Sequence, residues 1–366
     1  MDAKRAVTAV HVAVRDALED LTAGDVVLVA CSGGPDSLAL AAATANLARQ
    51  HGWRAGAVVV DHGWSPAAQA AGEQAAATAR ELGLAPVELI AVDSSGPGGP
   101  EAAARTARYR ALDEAGDRLG AAVLLLGHTL DDQAETVLLG LGRGSGARSL
   151  AGMRARSGRY RRPFLGLSRQ TILAACEGLE LVPWLDPAND DPAYARVRIR
   201  RLAGELERAL GPGVAQALAR TADLLRDDAD ALDAAAQALL VAAGPGPATL
   251  DAAHDVTDGA DSEFVLEADL LLAAPPAVRR RSLLLAAGRA GCPGGALSRR
   301  HALALEELLT ARPGARIDLP GRVRARVSGP AADRPGERDG AARRLLIGYV
   351  PSVRPGMGNW PLSTDP

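Results

Sequence analysis

Lysine is nearly missing from this sequence. Lys4 is the only one, so arginine supplies almost all of the 41 basic residues that face 44 acids. Coding bias accounts for most of that preference, and arginine also suits phosphate contacts. The formal net charge of −3 provides no overall positive field toward nucleic acid, so any such site must be local. Cysteine is scarce too. Cys31, Cys176 and Cys292 lie far apart and form no CxxC pair, which argues against a disulfide framework, a zinc site and a cysteine-bound iron–sulfur cluster. No uncharged apolar run reaches membrane-spanning length. The first residues scatter Asp2, Arg5, Arg15 and Asp16 among apolar ones and lack the apolar core of a signal peptide. These absences predict a soluble, cytoplasmic protein with no membrane partner. No internal repeat is visible.

What is present is apolar substance: 48% hydrophobic residues over 366 positions, enough for a substantial core and two or three domains. The chain is organised around residues 26–50. Residues 26–30 are valine-rich and read as a buried strand, and the alanine- and leucine-rich run after Ser37 reads as a helix. Between them lie Cys31, Ser32, Gly33, Gly34, Pro35, Asp36 and Ser37. At such a junction backbone N–H groups converge on the positive end of a helix, a ready site for phosphate. The loop has neither the Gly-Lys-Ser/Thr ending of a Walker motif nor the GxGxxG of a dinucleotide fold. A bare Gly-Gly is more often a plain tight turn. Strand, helix, two hydroxyls and a carboxylate together reverse that balance.

The pattern predicts a helix over 5–20, strands over 54–60, 87–92 and 121–126, and helices over 66–84, 100–120 and 131–141. Strands alternating with helices imply a Rossmann-like α/β fold, a parallel sheet covered on both faces. Ligands in such sheets sit beyond the carboxyl ends of the strands, where the polar signatures at 31–37, 61–62 and 127–132 all fall. Past 141 the composition shifts: residues 143–201 hold twelve arginines against five acids. Solvated surface competes evenly there with a phosphate-rich partner. From 211 the chain becomes helical, with an acidic-faced amphipathic run over 214–240 and a Gly-Pro-Gly-Pro break at 244–247. Helices are predicted over 266–272, 276–290 and 301–310, and short strands over 316–319, 323–327 and 345–349. The expected organisation is a catalytic domain over 1–210, a smaller, mostly helical region with short strands over 211–350, and a loose tail over 351–366.

Two further constellations carry chemistry. Gly127 and His128 follow a predicted strand, and Asp131 and Asp132 open the next helix, where the dipole favours carboxylates and one of them serves as a cap. Two adjacent carboxylates facing a phosphate loop fit Mg²⁺, which binds through one or two carboxylates plus substrate phosphates. Glu135, one turn on, reaches the same pocket. His128 alone would read as structural, and its place at a strand end raises it. Glu101, Arg105 and Arg108 share a helix face; a surface ion pair is the plain reading.

Residues 32–37 resemble the PP-loop of the ATP pyrophosphatases, which split ATP between its α and β phosphates. The longer series is more selective. It comprises the PP-loop, Asp61 with His62, and Glu101 with Arg105, Arg108 and Tyr109. It continues with Gly127, His128 and the Asp131–Asp132–Glu135 stretch, then Arg162 with Ser168 and Arg169, and ends in Asp186, Asp191, Tyr194, Arg196, Arg198 and Arg200. Over about residues 24–205 this series resembles the tRNA(Ile)-lysidine synthetase family. The resemblance implies ATP held by Ser32, Gly33, Gly34, Pro35, Asp36, Ser37, Asp61, His62 and Gly127, with Mg²⁺ near Asp36 and Asp131 or Asp132. It implies that the wobble cytidine of a CAU-anticodon isoleucine tRNA is adenylated at O2 with loss of pyrophosphate, and that free L-lysine then attacks C2 and expels AMP. Asp132 and Glu135 would orient the amine, His128 and Arg105 would serve the adenylate, and Arg196, Arg198, Arg200 and Arg201 would meet the tRNA. A homodimer is left open. Many relatives carry histidine at Thr129 and asparagine at Val197, which puts a detailed role for those two positions in doubt. A tRNA thiolase lacks its usual cysteine pair here; a small-molecule amidating enzyme sits poorly with the arginine-rich segment. A non-catalytic RNA-binding relative would not need the carboxylates.

Overall fold

The computed structural model describes residues 2–63, 65–96, 99–186, 191–193, 195–244, 263–329 and 342–350. Two compact units divide the chain, Met1–Arg226 and Asp227–Pro366. The first begins with α1 (Ala3–Ala17), β1 (Val26–Ala30), α2 (Pro35–His51), β2 (Arg54–Asp61), α3 (Pro66–Glu81), β3 (Val87–Ala91) and α4 (Pro100–Leu119). It continues with β4 (Val123–Leu125), α5 (Leu130–Gly142), α6 (Ala147–Leu150), β5 (Arg156–Ser157), β6 (Tyr160–Arg161), a 3₁₀ turn at Pro163–Gly166, α7 (Arg169–Gly178) and α8 (Ala195–Leu210). The unit boundary falls inside α9 (Val214–Ala243).

The sheet runs β3-β2-β1-β4-β6-β5, parallel throughout except for β5 at the edge. Its central strands β2, β1 and β4 read as largely continuous apolar runs because both faces are buried. Val27, Val29, Val123 and Leu125 join the core under α1, α2 and α7. Their neighbours Val26, Leu28, Leu124 and Leu126 pack with Leu112 and Ala115 of α4 on the opposite face. Leu28, Leu124 and Leu38 are fully shielded, each contributing roughly 2–3 kcal/mol of apolar burial. Helix α2 is buried on nearly every side, so alanine dominates its middle turns and lets it lie close to the sheet. Pro35 fits its first turn because proline's missing N–H would be unpaired there anyway. The strand order reverses on either side of β1, so the loops after β1 and β4 open into one crevice.

The second unit holds β7 (Phe264–Glu267), α10 (Ala268–Ala273), α11 (Pro276–Arg289), α12 (Arg299–Leu308), β8 (Arg316–Leu319), β9 (Val323–Ser328) and β10 (Arg344–Tyr349). Its antiparallel sheet, β7-β10-β9-β8, alternates buried and exposed residues and closes over a core with Leu283, Leu305 and Ile347. One sequence expectation is corrected here. The apolar run predicted as a helix over 266–272 begins as a strand, because Val265 and Leu266 pair with Leu346 and Leu345 of β10; the helix starts only at Ala268. Short apolar runs do not separate the two states by periodicity. Most of the Gly-Pro-Gly-Pro break and the tail from 351 lie outside the described residues.

Candidate active site

The loop after β1 is braced from within. Ser37 Oγ accepts from the Ser32 amide at 3.0 Å, donates to the Gly34 carbonyl at 3.0 Å and lies 3.3 Å from Ser32 Oγ. Gly33 takes a left-handed φ of +82°, and a Cβ there would stand 3.1 Å from Ala75 Cβ. Gly127, at the end of β4, passes so close that a Cβ would meet the Asp36 backbone at 3.0 Å. These two close approaches seat the loop between α3 and the following signature. An open cavity of about 340 Å³ results, walled by Ser32, Asp36 and Ser37 of the loop, Asp61 and His62 after β2, and Gly127, His128 and Asp132 after β4.

Among the described residues Asp36 is the most perturbed carboxyl. Burial, and then the charge of Asp132, push its pKa up from 3.8 to about 6, against the pull of Arg169. Its Oδ1 is shielded from solvent and has no hydrogen-bond partner among the described residues. An unpaired, partly ionised oxygen in a phosphate cavity fits a cation. No group of three His, Cys, Asp or Glu among the described residues could hold a metal ion by itself, so a cation at Asp36 would need further ligands from substrate phosphates and water.

The adjacent carboxylates 131 and 132 do different work. Asp131 accepts the Arg169 amide at 2.7 Å and is thereby committed to the N-terminus of α7. Asp132 closes a capping box with Thr129: its Oδ2 accepts the Thr129 amide at 2.8 Å, while Oδ1 is held by Arg169 Nη2 at 3.4 Å and borders the cavity. Thr129, fully buried, is thus the N-cap of α5. Val197 is buried against its surroundings at 6% exposure. Glu135 is almost enclosed, and its Oε1 accepts Arg200 Nε at 2.9 Å. Burial raises the Glu135 pKa and the Arg200 hydrogen bond opposes the rise.

His128 is uncharged at neutral pH. Burial lowers its pKa to about 4, with Arg162, Arg105 and Arg196 adding to the effect of desolvation and Asp132 opposing it. Its Nδ1 has no partner among the described residues. His62 is likewise lowered, by burial and by Arg108, whose Nη2 lies 3.5 Å from His62 Nε2; Nδ1 then faces Ser94 Oγ at 2.9 Å. Arg108 and Arg196 line the cavity. Arg105 stands over the Tyr109 ring. The Glu101 side chain lies outside the described residues, as do Tyr194 and residues 187–190.

Of the arginines expected to meet RNA, Arg196 reaches the cavity, Arg198 donates to the carbonyls of Pro192 and Ala193, Arg200 holds Glu135, and Arg201 is exposed on α8. Much of the positive charge in 143–201 is matched from outside that window. Arg156 meets Glu19, Arg159 meets Asp117, and Arg161 meets Asp20. Trp184 is the residue that sequence reasoning missed. It lines the cavity, and its amide donates to the Gly33 carbonyl at 2.9 Å, strapping the segment after α7 across the loop. That contact runs through backbone and leaves no side-chain pattern to read.

Residues 7–206 match the family model described as a PP-loop domain. The chain is 53% identical to the tRNA(Ile)-lysidine synthase of Thermobifida fusca (strain YX), over 87% of this chain and 94% of that one. It is 54% identical to the tRNA(Ile)-lysidine synthase of Streptomyces coelicolor (strain ATCC BAA-471 / A3(2) / M145), over 84% and 85%. The chain belongs to the tRNA(Ile)-lysidine synthase family. A solved structure of the U34-tRNA thiolase NcsA from Methanococcus maripaludis, with its [4Fe-4S] cluster, aligns with a TM-score of 0.52 at 20% identity, covering 61% of this chain and 80% of that one. That likeness shows the shared PP-loop fold alone. In this member of the lysidine synthase family Cys31 and Cys176 flank the loop as buried free thiols. Burial raises both pKa values, that of Cys176 to about 11, so neither is a thiolate. Among the described residues no helix is long and apolar enough to cross a membrane.

Proposed function

We propose that this protein ligates L-lysine to C2 of the wobble cytidine of the CAU-anticodon isoleucine tRNA, consuming ATP and releasing AMP and pyrophosphate. The carrying observation is one cavity that joins a braced PP-loop, a carboxyl at Asp36 with an unpaired oxygen, and the cationic side chains Arg108 and Arg196. The amides of the loop and the N-terminus of α2 receive the ATP phosphates. Asp36 and Asp132 would hold Mg²⁺, which supplies neutralisation of phosphate charge; Asp131, engaged by α7, falls outside that pair. Neutral His128 offers a hydrogen bond without adding charge, and Arg105 stabilises the phosphate of the adenylated base. Asp132 and Glu135 orient the incoming amine, for which Arg200 must yield the Glu135 carboxylate. The α8 arginines and the region from 211 to 350 bind the tRNA, beyond a catalytic domain over 1–210. The cytoplasm is the compartment of this reaction, and a homodimer is the assembly to look for by solution mass.

Purified protein with ATP, Mg²⁺ and labelled L-lysine should label a CAU-anticodon isoleucine transcript and spare a methionine transcript with the same anticodon. Intact ATP binding without lysine incorporation would overturn the reading, and sulfur incorporation would select a thiolase.

A further inference from the structure

The protein is poor in aromatic rings, with four tryptophans, four tyrosines and two phenylalanines in 366 residues. Where each one stands is therefore informative. Phe164 is fully shielded in the core, Trp53 is buried and stacks on His51 at 4.7 Å, and Tyr109 pairs edge-on with Tyr160 at 5.1 Å. Trp184 has a different setting. Among the described residues bordering the PP-loop cavity it is the only tryptophan, tyrosine or phenylalanine. Its segment leaves the core after Leu181, and the neighbouring Val182 and Leu185 are 88% and 71% exposed. Backbone holds Trp184 in place. Its amide donates to the Gly33 carbonyl at 2.9 Å, and its carbonyl oxygen lies 4.0 Å from the point where a Gly34 Cβ would stand. The strap over the loop does not depend on the indole.

A ring at that place meets the geometry of the reaction. Val58, Val59 and Val60 of β2 border the same cavity and offer an aliphatic wall for the purine of ATP. A ribose separates that purine from its phosphates. An aromatic group strapped to the phosphate loop therefore stands at the other end, where the base that attacks the α phosphorus must arrive. Such a base has left its stack in the RNA, and an aromatic face replaces the lost stacking while leaving the base edges open to polar groups. We propose that Trp184 is the stacking surface for the extruded nucleobase, so that base capture is joined to the phosphate loop through the Trp184–Gly33 hydrogen bond. This rests on the functional reading above and adds to it the side chain that receives the cytosine ring.

The test uses the full chain labelled with fluorotryptophan, a CAU-anticodon stem-loop, Mg²⁺ and an ATP analogue that cannot be cleaved between its α and β phosphates. The fluorine signal of Trp184 is assigned by its loss in Trp184→Phe. The stem-loop should shift that signal, and the Mg²⁺–analogue alone should not. The stem-loop Kd is then measured for the wild type, Trp184→Phe and Trp184→Leu, each with an intact loop and with one that lacks the wobble base. Trp184→Leu should weaken the intact loop about tenfold or more and the abasic loop less than about twofold, the mark of direct contact between indole and base. Trp184→Phe keeps a ring and should stay within about threefold of the wild type. The analogue's own Kd should move less than about twofold in either variant, because the strap runs through backbone. A signal moved by the analogue alone would assign the indole to adenine and overturn the proposal. Equal losses on the two loops, or Trp184→Phe as weak as Trp184→Leu, would overturn it too. These measurements need no turnover. A shifted signal without lysine incorporation would support the stacking surface and sink the ligation reading, and lysine incorporation beside an unmoved signal would do the reverse.

Discussion

Asp36→Asn should stabilise the protein while destroying its activity. The native carboxyl titrates at about 6 rather than 3.8, because burial and Asp132 disfavour its charged form. The folded state therefore binds this proton more tightly than the unfolded state, and the side chain costs stability progressively as pH rises from about 4 to about 6. Above that window the whole shift applies, on the order of 3 kcal/mol at 1.36 kcal/mol per pKa unit. The amide cannot ionise, so the variant escapes this cost. Urea unfolding in the presence of a chelator should show the variant ~2–3 kcal/mol more stable near pH 7.5, with the gap closing toward pH 4 as the wild-type carboxyl is protonated. Added Mg²⁺–ATP should stabilise the wild type and leave the variant nearly unmoved, since the cation's anionic ligand is gone. Unfolding curves that superimpose near pH 7.5, or a variant weaker than wild type, would refute the assignment of a strained, cation-ready carboxylate.

Arg200→Ala strands the enclosed Glu135 carboxylate and should cost ~2–4 kcal/mol in denaturant unfolding, most of it recovered by adding Glu135→Gln. Gly127→Ala must push the Asp36 backbone aside; kcat/KM for ATP should fall about 100-fold, measured as pyrophosphate release, with the fold intact by circular dichroism. His128 stays neutral above its pKa of about 4, so the adenylation rate should show no ionisation of this group in its pH profile between about 5.5 and 8. A limb there that vanishes in His128→Asn would contradict its neutral role.

The β1–loop–α2 unit was legible because its physics is local: an apolar run buried on both faces, then hydroxyls, glycines and a carboxylate at a helix start. The alternation of strands and helices in the first unit followed from the same signal. What stayed hidden depends on partners distant in sequence. The twelve arginines of 143–201 looked like an uncompensated positive segment, yet Asp20 and Asp117 meet two of them across the fold. Asp131 and Asp132 look equivalent as neighbours, and only the packing of α7, whose Arg169 amide engages Asp131, leaves Asp132 as the one that borders the cavity. β5 and β6, two residues each, are too short to carry a periodic signal. The strand at 264–267 shares a short apolar run with the helix that follows it.

The two arginines in the cavity wall have a further chemical meaning. An adenylated base is an electrophile waiting for an amine, and any lysine within reach would compete with the free substrate to attack it. Arg108 and Arg196 supply positive charge through guanidinium groups that do not deprotonate in proteins and so have no lone pair to offer. The single lysine of the chain sits far from the loop in sequence, in the first turn of α1. Cations of this kind attract phosphate and cannot themselves attack the intermediate that forms beside them.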